Sequence, residues 1–308
     1  MSARTWRLLC AGALLASMAM PPRAHADSSR GGMFNLPRYG ARAWGMGGAV
    51  IARIDDESAI DWNPAGIAES ARGAGVSAVE LVPDAFLTQA QAAFVMPIGH
   101  SRNPETGVSR HAAGAMYTNL SADVGAGQTY SENHLRLAYA YSPQPVVTFA
   151  FSGRIAFARS GVDNFDSWGT SVDMAVKLRL SQAWSVAVVG HDLFSRYTFE
   201  DGHDDPNDHE YVAGIAHHMP GAVDLEANVT YLHDGWLRTM VGAETPYFFG
   251  RVALRSGVAI LSTGEGRERY GFGISVRALQ QLSVHYAANI DDEDAFGTTH
   301  RFSLGVTW

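Results

Sequence analysis

Apolar and polar residues alternate along most of this chain, in short segments separated by turn-forming residues. The segment 222–232 shows the pattern clearly. Apolar side chains occupy every second position from Val223 to Tyr231, while Asp224 and Glu226 are among the polar residues between them. A period of two indicates a β-strand that has one apolar face and one polar face.

Fourteen such segments predict an all-β fold, a 14-stranded antiparallel transmembrane β-barrel. An even number of strands is typical of closed barrels in bacterial outer membranes. Most of the segments have the roughly 9 to 11 residues that a tilted membrane-spanning strand requires. The predicted strands are 76–81, 85–97, 110–119, 132–142, 145–158, 169–179, 183–193, 209–218, 222–232, 236–245, 248–260, 269–278, 281–290 and 299–308.

The connections between these strands also favour a membrane barrel, because such barrels alternate short periplasmic turns with longer extracellular loops. A soluble β-sandwich has no reason to alternate in this way. The short gaps are 279–280, 246–247, 219–221, 180–182 and 143–144, and the long gaps are 291–298, 261–268, 194–208, 159–168 and 120–131. The connections 233–235, 82–84 and 98–109 break the alternation.

A soluble β-sandwich or propeller is the alternative, since periodicity alone does not say which face points outward. The last strand, 299–308, favours the membrane. Its apolar face carries Phe302, Leu304 and Val306, and the chain ends on Trp308. Such an ending resembles the insertion signal that the barrel-assembly machinery of the outer membrane reads. These four residues are therefore the predicted assembly signal.

Residues 1–26 have the form of a cleaved secretory signal peptide. Arg4 and Arg7 precede an apolar run, 8–18, and Ala24-His25-Ala26 has the small-x-small pattern of a cleavage site. The apolar run is too short for a membrane-spanning helix, which needs roughly 20 residues. The predicted location is therefore the outer membrane of a Gram-negative cell, surrounded by outer-membrane lipid.

Removal of this signal changes the charge and the chemistry of the chain. The remainder carries 20 basic and 31 acidic side chains, which argues against nucleic acid or anionic lipid as a main partner. Cys10 is the one cysteine and leaves with the signal. The mature chain then has no disulfide, thiolate nucleophile or cysteine metal site, and no cofactor is predicted.

If the apolar face meets lipid, the polar face lines the lumen. We expect this lining to be hydrogen-bonded and ion-paired, because buried charges need partners. An acid–base catalytic site is the alternative use of the same residues. The predicted lining residues are Arg154, Lys177, Arg179, Asp224, Glu226, Arg238, Glu244, Arg251, Arg255, Arg277, His285 and Arg301.

Residues 27–75 do not alternate and are rich in glycine, with one helical candidate at 55–60. A segment of this length before a barrel is either a periplasmic arm or a plug. Fourteen strands leave a sizeable lumen, which favours the plug. We therefore expect an N-terminal hatch segment at 27–75 and the barrel at 76–308.

Three motifs in this segment resemble the N-terminal signature of PorV/PorQ-type proteins, within the wider FadL-like group of outer-membrane barrels. The motifs are Gly40–Ala49 (GARAWGMGGA), Asp55–Ala59 (DDESA) and Trp62–Gly66 (WNPAG). Residues 242–244, 251–257 and 301–304 also resemble late strands of that family. The hatch residues carried over from the motifs are Gly45, Gly47, Gly48, Asp55, Asp56, Asn63, Pro64, Ala65 and Gly66.

The resemblance implies a 14-stranded barrel with a hatch and leaves two activities open. FadL relatives take up hydrophobic small molecules, whereas PorV relatives bind exported proteins during type IX secretion. The implied partner is accordingly a hydrophobic ligand or a secretion-system protein, and the loops 194–208 and 120–131 are the candidate docking surfaces. Glu57 and Asp61 depart from the family pattern, and an acid at Asp61 argues against a fatty-acid contact beside the hatch.

Three further chemistries are weaker interpretations. Residues 45–48 lack the preceding strand and the lysine of a phosphate-binding loop. The acidic stretch 203–210 suits either a divalent cation or, more simply, a solvated loop. Ser283, His285 and Ser303 allow a lipid hydrolase, but no motif singles them out. We therefore predict a protein that is not an enzyme, with a lipid-acting enzyme or a purely structural barrel as alternatives.

Overall fold

The computed structural model describes most of the chain after the predicted signal peptide. The described residues are 36–82, 87–103, 105–125, 128–160, 166–200, 202, 204–205, 209–232, 235–262, 267–291 and 298–308. The predicted signal peptide, 1–26, lies outside these ranges, as does the first part of the predicted hatch, 27–35.

Fourteen antiparallel strands pair in chain order and close into one ring, as predicted. The ring closes where the first strand pairs with the last, with Gly75 opposite Gly305. The ring strands are β1 Gly73–Val82, β2 Leu87–Arg102, β3 Ser109–Gly125, β4 Gln128–Gln144, β5 Val147–Arg159, β6 Ser167–Arg179, β7 Trp184–His191, β10 Glu210–His217, β11 Asp224–Leu232, β12 Leu237–Glu244, β13 Val252–Leu261, β14 Arg267–Arg277, β15 Leu282–Asp291 and β16 Thr298–Thr307. A short hairpin, β8 Arg196–Phe199 and β9 Asp204–Asp205, extends β6 beyond the end of β7.

The apolar face of the barrel points outward. On β5, Phe151 and Phe157 are exposed by 54% and 52%, whereas Ser152 and Arg154 between them are buried. Phe302 on β16 is likewise exposed by 57%. An apolar outer surface around a polar interior is the arrangement of a barrel surrounded by lipid. The soluble alternative, with its apolar face inside, is therefore wrong.

The strand bounds correct part of the predicted loop pattern. β3 and β4 pair as far as Gly125 and Gln128, so most of the predicted loop 120–131 is strand. In contrast, the predicted short gap 246–247 is a seven-residue connection, 245–251, between β12 and β13. Ladder hydrogen bonds join backbone groups, so a hairpin continues past the point where side-chain alternation stops.

The ladder of the wall is interrupted between β6 and β7. Ladder pairing stops at Met174 and Gly190 and resumes at Thr170 and Arg196, so five residues oppose three. A local excess of residues on one strand is a β-bulge, which bends the strand and redirects a side chain. Here Asp192 turns at a positive φ of 53° and accepts a hydrogen bond from the Arg154 guanidinium at 2.5 Å.

In residues 36–72, the described part of the segment before the barrel, the helical elements are all short. These are Ala41–Gly45, Ala59–Trp62 and a 3₁₀ turn at Pro64–Ala68. The predicted helix at 55–60 therefore begins later than expected, because Asp56 accepts a hydrogen bond from the Ser58 backbone N–H and holds a turn there. Within the described residues, no helix is long and apolar enough to cross a membrane.

Candidate functional site

Residues 36–72, called the lumenal segment below, are hydrogen-bonded to inward-facing side chains on many strands of the ring. Because these strands lie on all sides of a closed ring, the segment lies inside it. The contacts are Gln89 Nε2 to Pro37 O at 2.8 Å, Ser185 Oγ to Ala52 O at 2.8 Å, Asn228 Nδ2 to Gly48 O at 3.2 Å, Asn289 Nδ2 to Trp44 O at 2.8 Å and Ala41 N to Ser303 Oγ at 2.7 Å.

Glycines on both sides allow the segment to approach the wall at β13 and β14. A Cβ atom added to Gly257 would lie 2.1 Å from Met46 O, and one on Gly271 would lie 2.3 Å from Trp44 O. Gly47 has a φ of 65°, and its added Cβ would meet the backbone of Val258. Side chains at these positions are therefore excluded by backbone atoms that have no room to move.

The other two predicted glycines of this turn are also in close contact. Gly45 faces Gly273, with 3.0 Å between its added Cβ and the Gly273 Cα. Gly48 has a φ of 83° and packs against the Trp62 ring. The N-terminal motif indicated the glycines of the segment. Their wall partners could not be read from the sequence, because a glycine in a strand has several structural uses.

The Asn-Pro-Ala-Gly motif folds the segment back on itself. Asn63 donates from Nδ2 to Ile51 O at 2.6 Å and accepts from Ala65 N at 2.9 Å. Pro64 begins the 3₁₀ turn, where its missing N–H costs nothing. An added Cβ on Gly66 would lie 2.4 Å from Ile54 O. The motif is therefore a buried structural turn rather than a surface that meets solvent.

A cluster of charges ties the segment to β12 and β13. Arg42 contacts Asp55 at 2.6 Å, Asp56 at 2.8 Å and Glu244 at 2.9 Å, and Glu244 also accepts from Arg255 Nε at 2.7 Å. Burial alone would raise the pKa of Asp56, but the Arg42 guanidinium and the Ser58 hydroxyl lower it. The predicted hatch acids Asp55 and Asp56 thus hold Arg42 in position between the segment and the wall.

Asp61 connects the segment to the opposite side of the ring. It accepts a hydrogen bond from Tyr39 N at 2.8 Å and lies 3.4 Å from Arg136 of β4. Arg136 also pairs with Asp173 of β6, which lies 3.5 Å from His191. Asp61, the acid that departs from the resembled motif, therefore takes part in an internal ion pair.

Glu69 provides a third connection, at the end of the barrel where β1 begins. It lies 3.0 Å from Lys177 and 3.1 Å from Arg179. Burial alone would raise the pKa of Glu69, but these two cations lower it. Together with the pairs Arg38–Glu210 and Arg53–Asp224, these ion pairs hold the segment at several separated places on the wall.

Between these charges, one side of the ring contacts the segment through alanines. The side chains Ile51, Ile60 and Ile67 of the segment belong to one apolar cluster with this part of the wall. The small size of alanine brings the wall close to the segment while keeping its surface apolar. The alanine face consists of Ala93, Ala112, Ala138, Ala140, Ala150, Ala175, Ala187 and Ala216, from β2 to β7 and β10.

The predicted polar lining is correct for most of its residues and wrong for two. Arg251 lies in the connection 245–251 and Arg277 ends β14, and both are exposed. The structure adds Arg136, Asp173 and His191 to the lining. Alternation could have indicated Arg136, since Glu132, His134 and Arg136 occupy every second position of β4.

The residues considered for catalysis do not form a triad. His285 Nε2 lies 3.0 Å from Ser283 Oγ, but its Nδ1 meets the Ser275 hydroxyl rather than a carboxylate. In a catalytic triad the histidine is usually oriented by a carboxylate, which also stabilises its protonated form. The neutral hydroxyl of Ser275 does not provide that charge. Ser303 instead binds the lumenal segment. The absence of enzymatic activity stays a prediction.

The acidic stretch 203–210 is described only in part. Asp204 pairs with Arg196 at 2.5 Å, and Glu210 pairs with Arg38 at 2.8 Å. Among the described residues, no group of three or more acidic, histidine or cysteine side chains is arranged to hold a metal ion. His203 and Asp208 lie outside the described residues.

Glu57 makes the seating of the segment sensitive to pH. Its carboxyl lies against Gly75, where an added Cβ would be 2.2 Å from Oε1. Burial, and then the carboxylate of Asp56, raises the pKa of Glu57 from 4.5 to about 8. Between these two values the seated segment holds a proton that a released segment would lose. Seating therefore weakens as pH rises through this window, by at most about 1.4 kcal/mol per pH unit, and levels off above pH 8.

We expect the barrel to open more often at pH 8 than at pH 6 in planar-bilayer recordings. Glu57→Gln, which mimics the protonated carboxyl, should reduce this difference, and the part that stays belongs to other carboxyls that contact the segment, such as Glu226, which accepts from Ala52 N at 2.6 Å. Glu69 does not interfere, because its lowered pKa places its own titration below this range. An unchanged pH dependence in Glu57→Gln would assign the effect to another group.

Comparison with known proteins supports the fold. No protein-family model and no curated protein matches the sequence. The toluene transporter TbuX of Ralstonia pickettii has a TM-score of 0.65 and 13% identity, covering 89% of this chain and 100% of that chain. The monoaromatic hydrocarbon channel CymD has a TM-score of 0.64 and 13% identity, covering 87% and 97%. A FadL homologue of Pseudomonas aeruginosa has a TM-score of 0.63 and 12% identity, covering 88% and 98%.

At such low identities these similarities establish the fold alone. The chain has the barrel fold of these structures, one of which is a FadL homologue, so the fold that the sequence resemblance implied is confirmed. None of these three structures is described as a PorV or PorQ protein, so the narrower resemblance rests on the sequence motifs.

Proposed function

We propose that this protein is a non-enzymatic outer-membrane channel for small hydrophobic molecules, and that the lumenal segment is its hatch. The observation that carries the proposal is the alanine face. A purely polar pore would present charged or hydroxyl side chains all around its lumen, whereas here the wall on β2 to β7 and β10 also presents a set of methyl groups, beside the charged residues of the same strands. Displacement of the hatch from this face would open a path on which an apolar molecule keeps apolar contacts.

The proposal requires the hatch to move. A ligand site is usually an apolar pocket of several hundred cubic ångströms. Among the described residues, a cavity of about 160 Å³ is lined by charged groups, including Arg53, Glu69 and Lys177. Another, of about 20 Å³, lies beside Arg42. Neither offers an apolar site of that size, so passage depends on release of the hatch.

The fold similarity supports transport over the secretion alternative. TbuX is described as a toluene transporter and CymD as a monoaromatic hydrocarbon channel. No contact in the described structure favours docking of an exported protein, and one of the two loops considered for it is largely strand. We therefore infer transport of hydrophobic molecules. A secretion role of the PorV/PorQ type is the alternative that the test below distinguishes.

The proposal is tested by locking the hatch to the alanine side. Ser185 Oγ contacts the backbone oxygen of Ala52 at 2.8 Å, so a Ser185→Cys and Ala52→Cys pair places two thiols on neighbouring residues, within the span of a short bifunctional thiol reagent. After signal cleavage the chain has no other cysteine. Uptake of radiolabelled toluene by cells that make the paired variant should fall to the level of cells without the barrel once a short bifunctional thiol reagent is added. Each single-cysteine variant, treated identically, should keep its uptake.

Two results would contradict transport. The first is toluene uptake by wild-type cells that is no faster than uptake by cells without the barrel. Alternatively, native mass spectrometry of the protein in mild detergent could find a stoichiometric protein partner and an empty lumen, which would favour secretion-associated docking.

A further inference from the structure

One buried arginine in the barrel wall has no acidic partner in the part of the chain that the structure describes. Arg301 of β16 is exposed by only 4%, and its Nε is buried without a hydrogen-bond acceptor. Among the described residues, no carboxylate forms an ion pair with it. Every other deeply buried arginine of the lining has such a pair: Arg136 with Asp173, Arg154 with Asp192 and Arg255 with Glu244.

A second guanidinium lies near the same ring. Arg301 Cζ is 4.1 Å from the centroid of the Trp44 ring, and Arg269 Cζ of β14 is 5.2 Å from it. Trp44 Nε1 donates to Arg38 O at 2.7 Å, and the Trp44 carbonyl accepts from Asn289, so the ring is held firmly. Trp44 and Arg269 are half-buried, and the site is therefore within reach of a small molecule in the lumen.

The described contacts leave the charge of Arg301 without a counter-ion. The π face of Trp44 offsets part of the cost of burying a guanidinium, by about 0.5 to 2 kcal/mol. Removal of a charge from water costs several kcal/mol even after relaxation. The nearby charge of Arg269 adds repulsion rather than compensation. A cation–π contact alone is thus too weak to account for a buried, unpaired arginine.

We propose that Arg301, held over Trp44 with Arg269 near the same ring, forms a binding site for an oxyanion group entering the lumen. A guanidinium stacked on an aromatic ring keeps its edge free, and that edge matches the paired oxygens of a carboxylate or phosphate. The ligand is either a free inorganic anion or the anionic group of an organic molecule. This site is separate from the apolar path on the alanine face, and its test measures binding rather than transport.

The test uses the purified full-length barrel in detergent, with inorganic phosphate and benzoate as anionic probes and toluene as a neutral analogue of benzoate. Isothermal titration calorimetry should detect an anionic probe. Arg301→Gln should weaken its binding roughly tenfold to a hundredfold, the value of a charge-assisted hydrogen bond. Because this substitution removes an unpaired buried charge, the variant should fold at least as well as the wild type. Arg301→Lys should restore part of the affinity.

Arg196→Gln is the matched control, since Arg196 is a largely exposed arginine in a surface ion pair. It should bind the probes as the wild type does. Binding of benzoate without phosphate would assign the site to organic acids. Binding of both probes would assign it to oxyanions in general. Absence of binding for both probes, or equal affinity in wild type and Arg301→Gln, would overturn the proposal.

Discussion

Gly257→Val is expected to release the lumenal segment while leaving the barrel intact. The added Cβ would lie 2.1 Å from the Met46 carbonyl oxygen and 2.2 Å from its carbon, both backbone atoms. Overpacking of this kind costs about 1 to 3 kcal/mol even where side chains can adjust, and here they cannot. A loss of 3 kcal/mol changes the seating equilibrium more than a hundredfold. We therefore expect a large rise in open time and conductance in planar bilayers.

Gly153→Val is the matched control for this variant. Gly153 also lies within a ring strand, β5, but nothing is within 4 Å of its added Cβ. It should conduct as the wild type does, and both variants should remain heat-modifiable. Deletion of residues 36–72 provides a second comparison, because Gly257→Val should add nothing in its absence. Wild-type conductance in Gly257→Val would show that the segment is not held against β13.

Loss of the last strand is expected to abolish the barrel. β16 pairs with β15 and β1, and thereby closes the ring. Deletion of residues 299–308 would leave two strand edges unpaired in the membrane, where each unsatisfied backbone group costs several kcal/mol. Outer-membrane fractions should then contain almost no heat-modifiable protein. This effect follows from ring closure alone, so it does not isolate a signal.

The double variant Phe302→Ala and Trp308→Ala isolates the predicted assembly signal, because it keeps the β16 backbone. Both side chains are exposed, by 57% and 60%, and Trp308 lies beside Phe94. The paired control, Phe157→Ala and Trp168→Ala, removes the same two residue types at 52% and 51% exposure from strands in mid-chain. We expect a several-fold lower amount of assembled barrel for the first variant alone. Equal losses would mean that the aromatic residues act only through contact with lipid.

The strands and their facing could be predicted from the sequence because they depend on local alternation. On β11, Leu225 and Val229 point outward and Glu226 and Asn228 inward, as a period of two requires. Where alternation ended early, prediction failed: the 120–131 region is largely strand because backbone pairing extends past the alternating residues. The bulge at Asp192 was equally hidden, since it arises from the mismatch of two strands and a turn.

The candidate site was only partly within reach of the sequence. Motif resemblance indicated the residues of the segment, such as Gly47 and Asn63, because their turn requires those residue types. It did not indicate Gly257 or Gly271 on the wall. Nor could it pair Arg42 with Glu244, which lies 202 positions away. A pairing of this kind depends on the register of every intervening strand.

The amino-acid sequence by itself determined the number of strands in this barrel and which face of each points outward, because both follow from side chains two positions apart. Only the tertiary structure decided which buried charges find partners. Arg154 and Arg301 occupy similar inward positions on their strands, and no local pattern separates them. One pairs with Asp192 at a bulge, whereas the other, among the described residues, lies against Trp44 and near a second arginine. Closure of the ring around the lumenal segment sets these distances, since it brings together residues that are far apart in the chain.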